Sequence, residues 1–241
     1  MRLSKFISNC GITTRRKADD IIRAGRVKVN NVRVLEPSFE VNTNKDIILL
    51  DDIRIKENKN DIYIALYKPV KYISDLKDDK GRKIARCIID IDGKLFPVGR
   101  LDYNSEGLII FTNDGEFANI IMHPRYEIEK EYYVKVKGRI EKEDISRLKK
   151  GILIEGSINR VKHIEFLKSS IKNNWYKFIV KEGKNRMIRK MCLAIDHPVL
   201  KLLRVRIGNV SLGRLEPGQY RFLTEKEVAF IKSIKAKKTD N

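Results

Sequence analysis

The chain has 241 residues, of which 51 are Lys or Arg and 32 are Asp or Glu, a formal net charge of +19. That length supports one large domain or two unequal ones, and the charge points to a polyanionic partner, since a protein that neutralises phosphates gains affinity by releasing condensed counterions. No run approaches the roughly 18 apolar residues of a membrane span, and the opening MRLSKFISNCG lacks the apolar core of a signal peptide, so a cytoplasmic protein is expected.

Leu3, Phe6, Ile7 and Cys10 recur at helical spacing, and Gly11 can stop that helix. A second helix follows, capped by Thr13 or Thr14, with Ala18, Ile21 and Ile22 as its apolar stripe and Gly25 just beyond its end. RVKVNNVRV alternates strictly about Asn30 and Asn31, which predicts a hairpin because Asn tolerates the positive φ of a two-residue turn. Residues 1–34 carry nine Lys or Arg against two Asp, whereas residues 35–60 carry four against six acidic residues. The positive field is therefore local to the two helices and the hairpin, where Arg15, Arg16, Lys17, Arg23, Lys28 and Arg33 can face a phosphate backbone. The plain alternative is a solvated amphipathic module; the one-sided charge favours nucleic acid.

The pattern RLSKFISNCGITTRRKADDIIRAGRVKVNNVRV resembles the S4 domain, a short RNA-binding unit of two helices and a small sheet. The resemblance implies that Arg15, Arg16, Lys17 and Lys28 occupy the positions that meet structured RNA.

ENKND, residues 57–61, is a polar break before the hydrophobic restart DIYIALYKP. The expected domains are residues 1–60 and 61–235, followed by a loosely ordered tail, 236–241. Beyond the break, strand-like and helical segments mix without a βαβ rhythm or a phosphate-binding glycine loop, which predicts an α+β fold.

Three polar stations follow along the larger domain. In VGRLDYNSEGLIIFTNDGE, residues 98–116, GLIIFT reads as a buried strand, so Asp102 stands in the loop entering it. Asp102 then either makes a loop hydrogen bond, pairs with Arg100, or is a functional carboxylate. In KEYYVKVKG, alternation turns Tyr132, Val134 and Val136 to one face, and Tyr132 is a core residue or a platform for stacking a nucleobase. In WYKFIVKEGKNRMIRKMCLAI, a strand leads through a glycine-containing turn to a helix. Met187, Ile188, Met191 and Ile195 form its apolar stripe, and Arg186, Arg189 and Lys190 lie on the other side, where a solvated face is the usual outcome.

Together YKPVKY, FPVGRLDYNSEGLIIFTNDGE, KEYYVKV and EGKNRMIRKMCLAIDHPVLKLLRVRIG resemble the ribosomal RNA pseudouridine synthases that carry an N-terminal S4 domain. The resemblance implies a mixed, largely antiparallel central sheet with the active site in a cleft across its middle. It also implies that Asp102 is the catalytic carboxylate, Tyr132 the active-site tyrosine and Arg189 the basic partner of the aspartate. Arg100 and Arg186 are expected to meet RNA, Arg100 near the flipped uridine.

The implied reaction is isomerisation of uridine to pseudouridine without a cofactor, on 23S in preference to 16S ribosomal RNA, by a monomer. The competing reading is an RNA-binding ribosome-assembly factor without activity. No metal is expected, because Cys10, Cys87, Cys192, His123, His163 and His197 are scattered without ligand spacing. Two positions depart from the family pattern: Lys71 stands where a glycine is common and Tyr67 where an asparagine is common, which puts the turn after Lys68-Pro69 in question.

Overall fold

In this computed structural model, which describes residues 1–57, 60–170 and 172–239, the apolar side chains of Leu3, Phe6 and Ile7 share the buried face of helix α1 (Leu3–Asn9). Thr14, rather than Thr13, caps α2 (Arg15–Arg23): its hydroxyl accepts from the Lys17 N–H at 3.4 Å. Strands β1 (Val27–Val29) and β2 (Val32–Val34) pair about Asn30 and Asn31, whose φ values of 49° and 66° close the tight turn. Strands β3 (Ile48–Leu50) and β4 (Ile53–Arg54) complete an antiparallel sheet in the order β2-β1-β3-β4. Val27, Val29, Val34 and Ile48 pack with Leu3, Phe6, Ala18 and Ile22 in one apolar core, while Val32 is exposed.

These elements form the first unit, Met1–Ile62, together with two short later segments, Asp92–Lys94 and Asn113–Gly115. The second comprises Tyr63–Ile91, Leu95–Thr112 and Glu116–Asn241, so the junction falls two residues after the polar break predicts.

The second unit opens with β5 (Tyr63–Lys68), the short parallel pair β6 (Tyr72–Ile73) and β7 (Lys83–Ile84), then β8 (Phe96–Val98) and β9 (Glu106–Thr112). Helix α3 (Gly115–Met122) leads to β10 (Lys130–Lys137), and α4 (Lys142–Lys150) to the hairpin of β11 (Ile152–Ile154) and β12 (Ser157–Asn159). The remaining elements are β13 (His163–Ser170), β14 (Asn173–Val180), α5 (Met187–Leu193), β15 (Val199–Ile207), β16 (Val210–Ser211), β17 (Tyr220–Phe222) and α6 (Glu225–Thr239). Helix α6 runs through residues 236–239 of the expected tail, where Ala236, Lys237 and Lys238 are all good helix formers, and residues 240–241 lie outside the described part. Among the described residues no helix is long and apolar enough to cross a membrane.

The large sheet runs β13-β14-β10-β15-β9-β5-β17, with β16 added to β15 and β8 to β9. Its pairs among the described residues are antiparallel except β9 with β15, where Leu203 lies opposite Glu106 and Arg204 opposite Gly107. The mixed, largely antiparallel sheet of an α+β fold is therefore present. The whole of β9 is buried, and helix α3 packs Phe117, Ala118, Ile120 and Ile121 against its neighbours. The parallel junction matters because it sets the loop that enters β9 beside the middle strands of the sheet.

The questioned turn forms with lysine in it. Lys71 adopts φ 63° and donates its N–H to the Tyr103 carbonyl at 2.7 Å, an exposed left-handed position that costs a residue with a Cβ about 1–2 kcal/mol. Lys71→Gly should therefore stabilise the larger unit by about 0.5–1 kcal/mol after the entropy of the unfolded chain is counted, a rise of roughly 1–3 °C in its calorimetric transition. A lower melting temperature would show that the lysine side chain contributes more than the strain removes.

Candidate active site

Strand β8 ends at Val98, and Gly99, at φ 77°, turns the chain into the loop that carries Arg100, Leu101 and Asp102. Ser74, itself buried, holds that loop twice, accepting from the Leu101 N–H and donating to the Leu101 carbonyl, each at 3.0 Å. The Ser105 N–H closes on the Asp102 carbonyl at 3.0 Å and the Lys71 N–H on the Tyr103 carbonyl. Main chain on both sides of Asp102 is thus pinned before β9 begins, which limits the freedom of its carboxylate.

That carboxylate does not pair with Arg100, whose guanidinium lies 3.3 Å from Asp75 instead. It faces two other arginines: Arg189 Nε at 3.6 Å and Arg186 Nη1 at 3.9 Å from Oδ2. Both separations suit an ion pair and exceed a hydrogen bond, and no donor bonds to the Asp102 side chain among the described residues.

Of the two readings the sequence leaves for Arg189, a solvated face or a partner of Asp102, the solvated face is not the one found: its side chain is only 14 % exposed. Its two terminal nitrogens are taken by the Val199 carbonyl at 3.1 Å, the Asn104 carbonyl at 2.9 Å and the Ser105 hydroxyl at 3.1 Å, so its Nε is what remains to face Asp102. Burial lowers the Arg189 pKa from its ordinary value and the Asp102 charge raises it back. Arg186, half exposed, precedes α5 in the left-handed conformation, φ 51°, which turns it toward the same carboxylate. Below both, Met187, Ile188, Met191 and Ile195 bury the stripe that anchors the helix.

Tyr132 lines the same cleft, 7 % exposed and inward on β10 as alternation predicts. Its hydroxyl accepts from Arg204 Nη1 at 3.5 Å. Asp102, Tyr132, Arg100 and Arg186 all line one cleft of about 400 Å³. The backbone and Ser105 contacts of Arg189 lock the carboxylate's partner from behind.

Three buried cations near this cleft were missed from the sequence. Lys68 donates to the Pro69 and Tyr72 carbonyls at 2.9 and 2.8 Å, and burial pushes its pKa down to about 8, opposed by Asp102 and reinforced by Arg204. Lys130 donates to the Ile121 and Ile128 carbonyls at 3.3 and 3.1 Å and is also pushed down to about 8, by burial and then by Arg204. Arg204 is 3 % exposed, with Nε donating to the Leu108 carbonyl at 2.7 Å and Nη2 without an acceptor among the described residues. A signal existed for Lys130, which shares the parity of Tyr132 in KEYYVKV and so must face inward.

The basic residues of the first unit are placed differently from one another. Arg15, Arg16 and Lys17 are exposed on the first turn of α2, while Lys28 is partly buried and paired with Asp52 at 2.6 Å. Arg26 is likewise held by Asp51. The turn between β3 and β4 thus brings two acidic residues against β1, so Lys28 is a shared cation rather than a free one.

A carboxylate on a pinned loop between two arginines, lining one cleft with an aromatic ring and with room for a nucleotide, suits chemistry at a carbon attached to a flat polar ring. A family model described as RNA pseudouridylate synthase matches residues 62–194, and one described as the S4 domain matches residues 1–47. The chain belongs to the RNA pseudouridylate synthase family. It is thus an enzyme that forms pseudouridine in RNA, and its first unit carries an S4 domain.

The synthase is 40 % identical over 231 residues to an uncharacterized RNA pseudouridine synthase of Aquifex aeolicus, covering 95 % of this chain and 92 % of that protein. It is 39 % identical over 236 residues to the ribosomal large subunit pseudouridine synthase B of Bacillus subtilis, covering 97 % and 96 % respectively. A solved structure entitled crystal structure of pseudouridylate synthase superposes with a TM-score of 0.67 at 29 % identity, over 96 % of this chain and 99 % of that one.

Proposed function

We propose that this synthase isomerises a uridine of large-subunit ribosomal RNA, with Asp102 as its catalytic carboxylate. The observation that carries the assignment of Asp102 is its placement: two arginines as ionic partners, an aromatic platform lining the same cleft, and no hydrogen-bond donor occupying its oxygens among the described residues. The choice of large-subunit RNA rests on similarity to the Bacillus subtilis synthase of that name.

The reaction breaks the N1–C1′ bond of uridine, turns the base while it stays bound, and joins C5 to C1′. A proton leaves C5 and another is added at N1, with no net oxidation or hydrolysis. A uridine stacked in a helix cannot present C1′ and C5 to the enzyme, so it is flipped out at a cost of a few kcal/mol. Arg100, exposed at the cleft mouth, steadies the strand that releases it, and Arg186 meets the RNA on the opposite lip.

Tyr132 stacks on the flipped base; the bond from Arg204 and the burial of its ring hold that platform in one orientation. Asp102 acts at C1′ as nucleophile or as stabiliser of the sugar cation. Arg189 aims it through the field of its Nε without donating a hydrogen bond that would have to be broken. Because the main chain fixes Arg189, its charge needs no reorganisation during the reaction. Arg15, Arg16 and Lys17, with Lys28 in exchange for Asp52, contribute phosphate contacts that offset the cost of flipping.

Pseudouridine mapping of ribosomal RNA with and without the gene tests this. The expected result is one or a few 23S positions lost with the gene and restored by it. A lost position confined to 16S RNA, or an unchanged map of both, overturns the large-subunit assignment.

A further inference from the structure

Tyr132 holds the plane of the departing base, but none of the roles above meets the charge that base acquires. When the N1–C1′ bond breaks, its electron pair leaves with uracil, and the negative charge spreads from N1 onto O2 and O4. The cleft floor carries two cations suited to that charge. Arg204 lies directly across from Tyr132 in the β10–β15 register, and Lys130 lies two residues before Tyr132 on the same face of β10. Both line the cleft, and both are at least nine-tenths buried.

Neither cation has a carboxylate partner among the described residues; main-chain carbonyls and the Tyr132 hydroxyl hold them. Two of the three N–H bonds of Lys130 are occupied, and Arg204 Nη2 has no acceptor among the described residues. Burying two cations side by side without a counter-ion is costly, and a site that bears this cost in the free protein is ready for an anion.

We infer that Arg204 and Lys130 are the leaving-group donors of the reaction, taking the charge of the detached uracil on its two carbonyl oxygens. This rests on the isomerisation described above. Replacing N1 by C5 at C1′ is a half-turn of the ring about its N3–C6 axis, and that half-turn carries O2 and O4 into each other's places. Donors set for two carbonyl oxygens therefore fit the base before and after it turns, and retain it in between. C5 then bonds to C1′, the C5 proton departs and N1 is protonated, so no oxidant or further reactant is needed. The same donors favour uracil over cytosine, whose amino group at C4 would confront a cation with another donor.

The test uses the full-length protein in excess over a transcript spanning the mapped target, made with uridine or with 5-fluorouridine. Fluorine acidifies the ring N1–H, so the detached fluorinated base needs less stabilisation. Single-turnover loss of the intact target nucleoside is followed for wild type, Arg204→Lys and Lys130→Met, alongside RNA affinity.

Each variant should slow uridine cleavage about 10²–10³-fold with RNA affinity within about twofold, and the 5-fluorouridine transcript should recover at least tenfold of that loss. Equal losses on the two transcripts, or a loss in affinity alone, overturn the inference. If one variant melts below the assay temperature, the other carries the same comparison. A target mapped to another RNA overturns the large-subunit assignment and leaves the comparison to be made on a transcript of that RNA.

Discussion

Asp102→Asn should lower tritium release from C5-labelled uridine in protein-free ribosomal RNA by about 10⁴-fold or more, a loss on the scale seen when a catalytic nucleophile is removed. The substitution keeps the shape of the side chain and deletes its charge. The fold should survive, because the loop is held by Ser74, Ser105 and Lys71 through main-chain contacts that do not involve the carboxylate. Arg189 loses its counter-charge but keeps its three acceptors, so the stability cost should be only about 1–2 kcal/mol.

RNA affinity should stay within about twofold, which separates a chemical role from a binding one. Asp102→Glu offers a second measure: one added methylene displaces the oxygens by about 1 Å, for a loss of roughly 10²-fold. Label release by Asp102→Asn at the wild-type rate would remove Asp102 from the mechanism.

The largest structural effect is expected at Gly107, five residues further on. It holds φ 105° at the parallel junction of β9 with β15, and a Cβ there would meet the main chain of Arg204, 2.8 Å from its nitrogen, as well as Leu203 Cδ1 at 2.8 Å. Backbone in the middle of a sheet cannot yield as a side chain can. Gly107→Ala should therefore cost about 3–5 kcal/mol, roughly a 10 °C fall in the transition of the larger unit.

The displaced strands carry Arg204 directly and Asp102 through its loop, so whatever folds should also be slow. Gly115→Ala is the matched control: Gly115 has no positive φ, and nothing lies within 4 Å of the added Cβ. Its melting should be unchanged or slightly higher. A Gly107→Ala protein that melts within about 2 °C of wild type would mean that β9 and β15 are free to separate there.

The elements legible in the sequence are those whose signals are local. Asn30 and Asn31 specify their own turn, the Thr13-Thr14 pair announces a cap that the structure gives to Thr14, and the alternation of KEYYVKV turns Tyr132 inward whatever lies opposite. The buried run of GLIIFT likewise announces β9, and with it a loop that must bring Asp102 to the edge of the core. Family resemblance then proposed which of the polar residues belong together.

Partners could not be read in the same way. Arg100 stands two residues from Asp102 and bonds to Asp75, while Arg189, 87 positions away, faces the carboxylate. The periodicity of α5 put Arg189 opposite the apolar stripe and left its exposure open, because a helical pattern separates apolar from charged residues without knowing what covers the charged side. The loop at Asn104 and Ser105, with the Val199 carbonyl, is what covers it.

The sequence by itself therefore determined the two-part organisation, the kinds of element, the inward tyrosine and the stretch that holds the carboxylate. Only the tertiary structure decided that Arg186 joins Arg189 at Asp102, that Lys28 is shared with Asp52, and that Lys130 and Arg204 lie buried beside Tyr132 with no carboxylate partner among the described residues. The physical reason is that dihedral preference and hydrophobic period act over a few residues. Burial of a charge, by contrast, depends on strands brought together across the sheet, here by the parallel pairing that Gly107 permits.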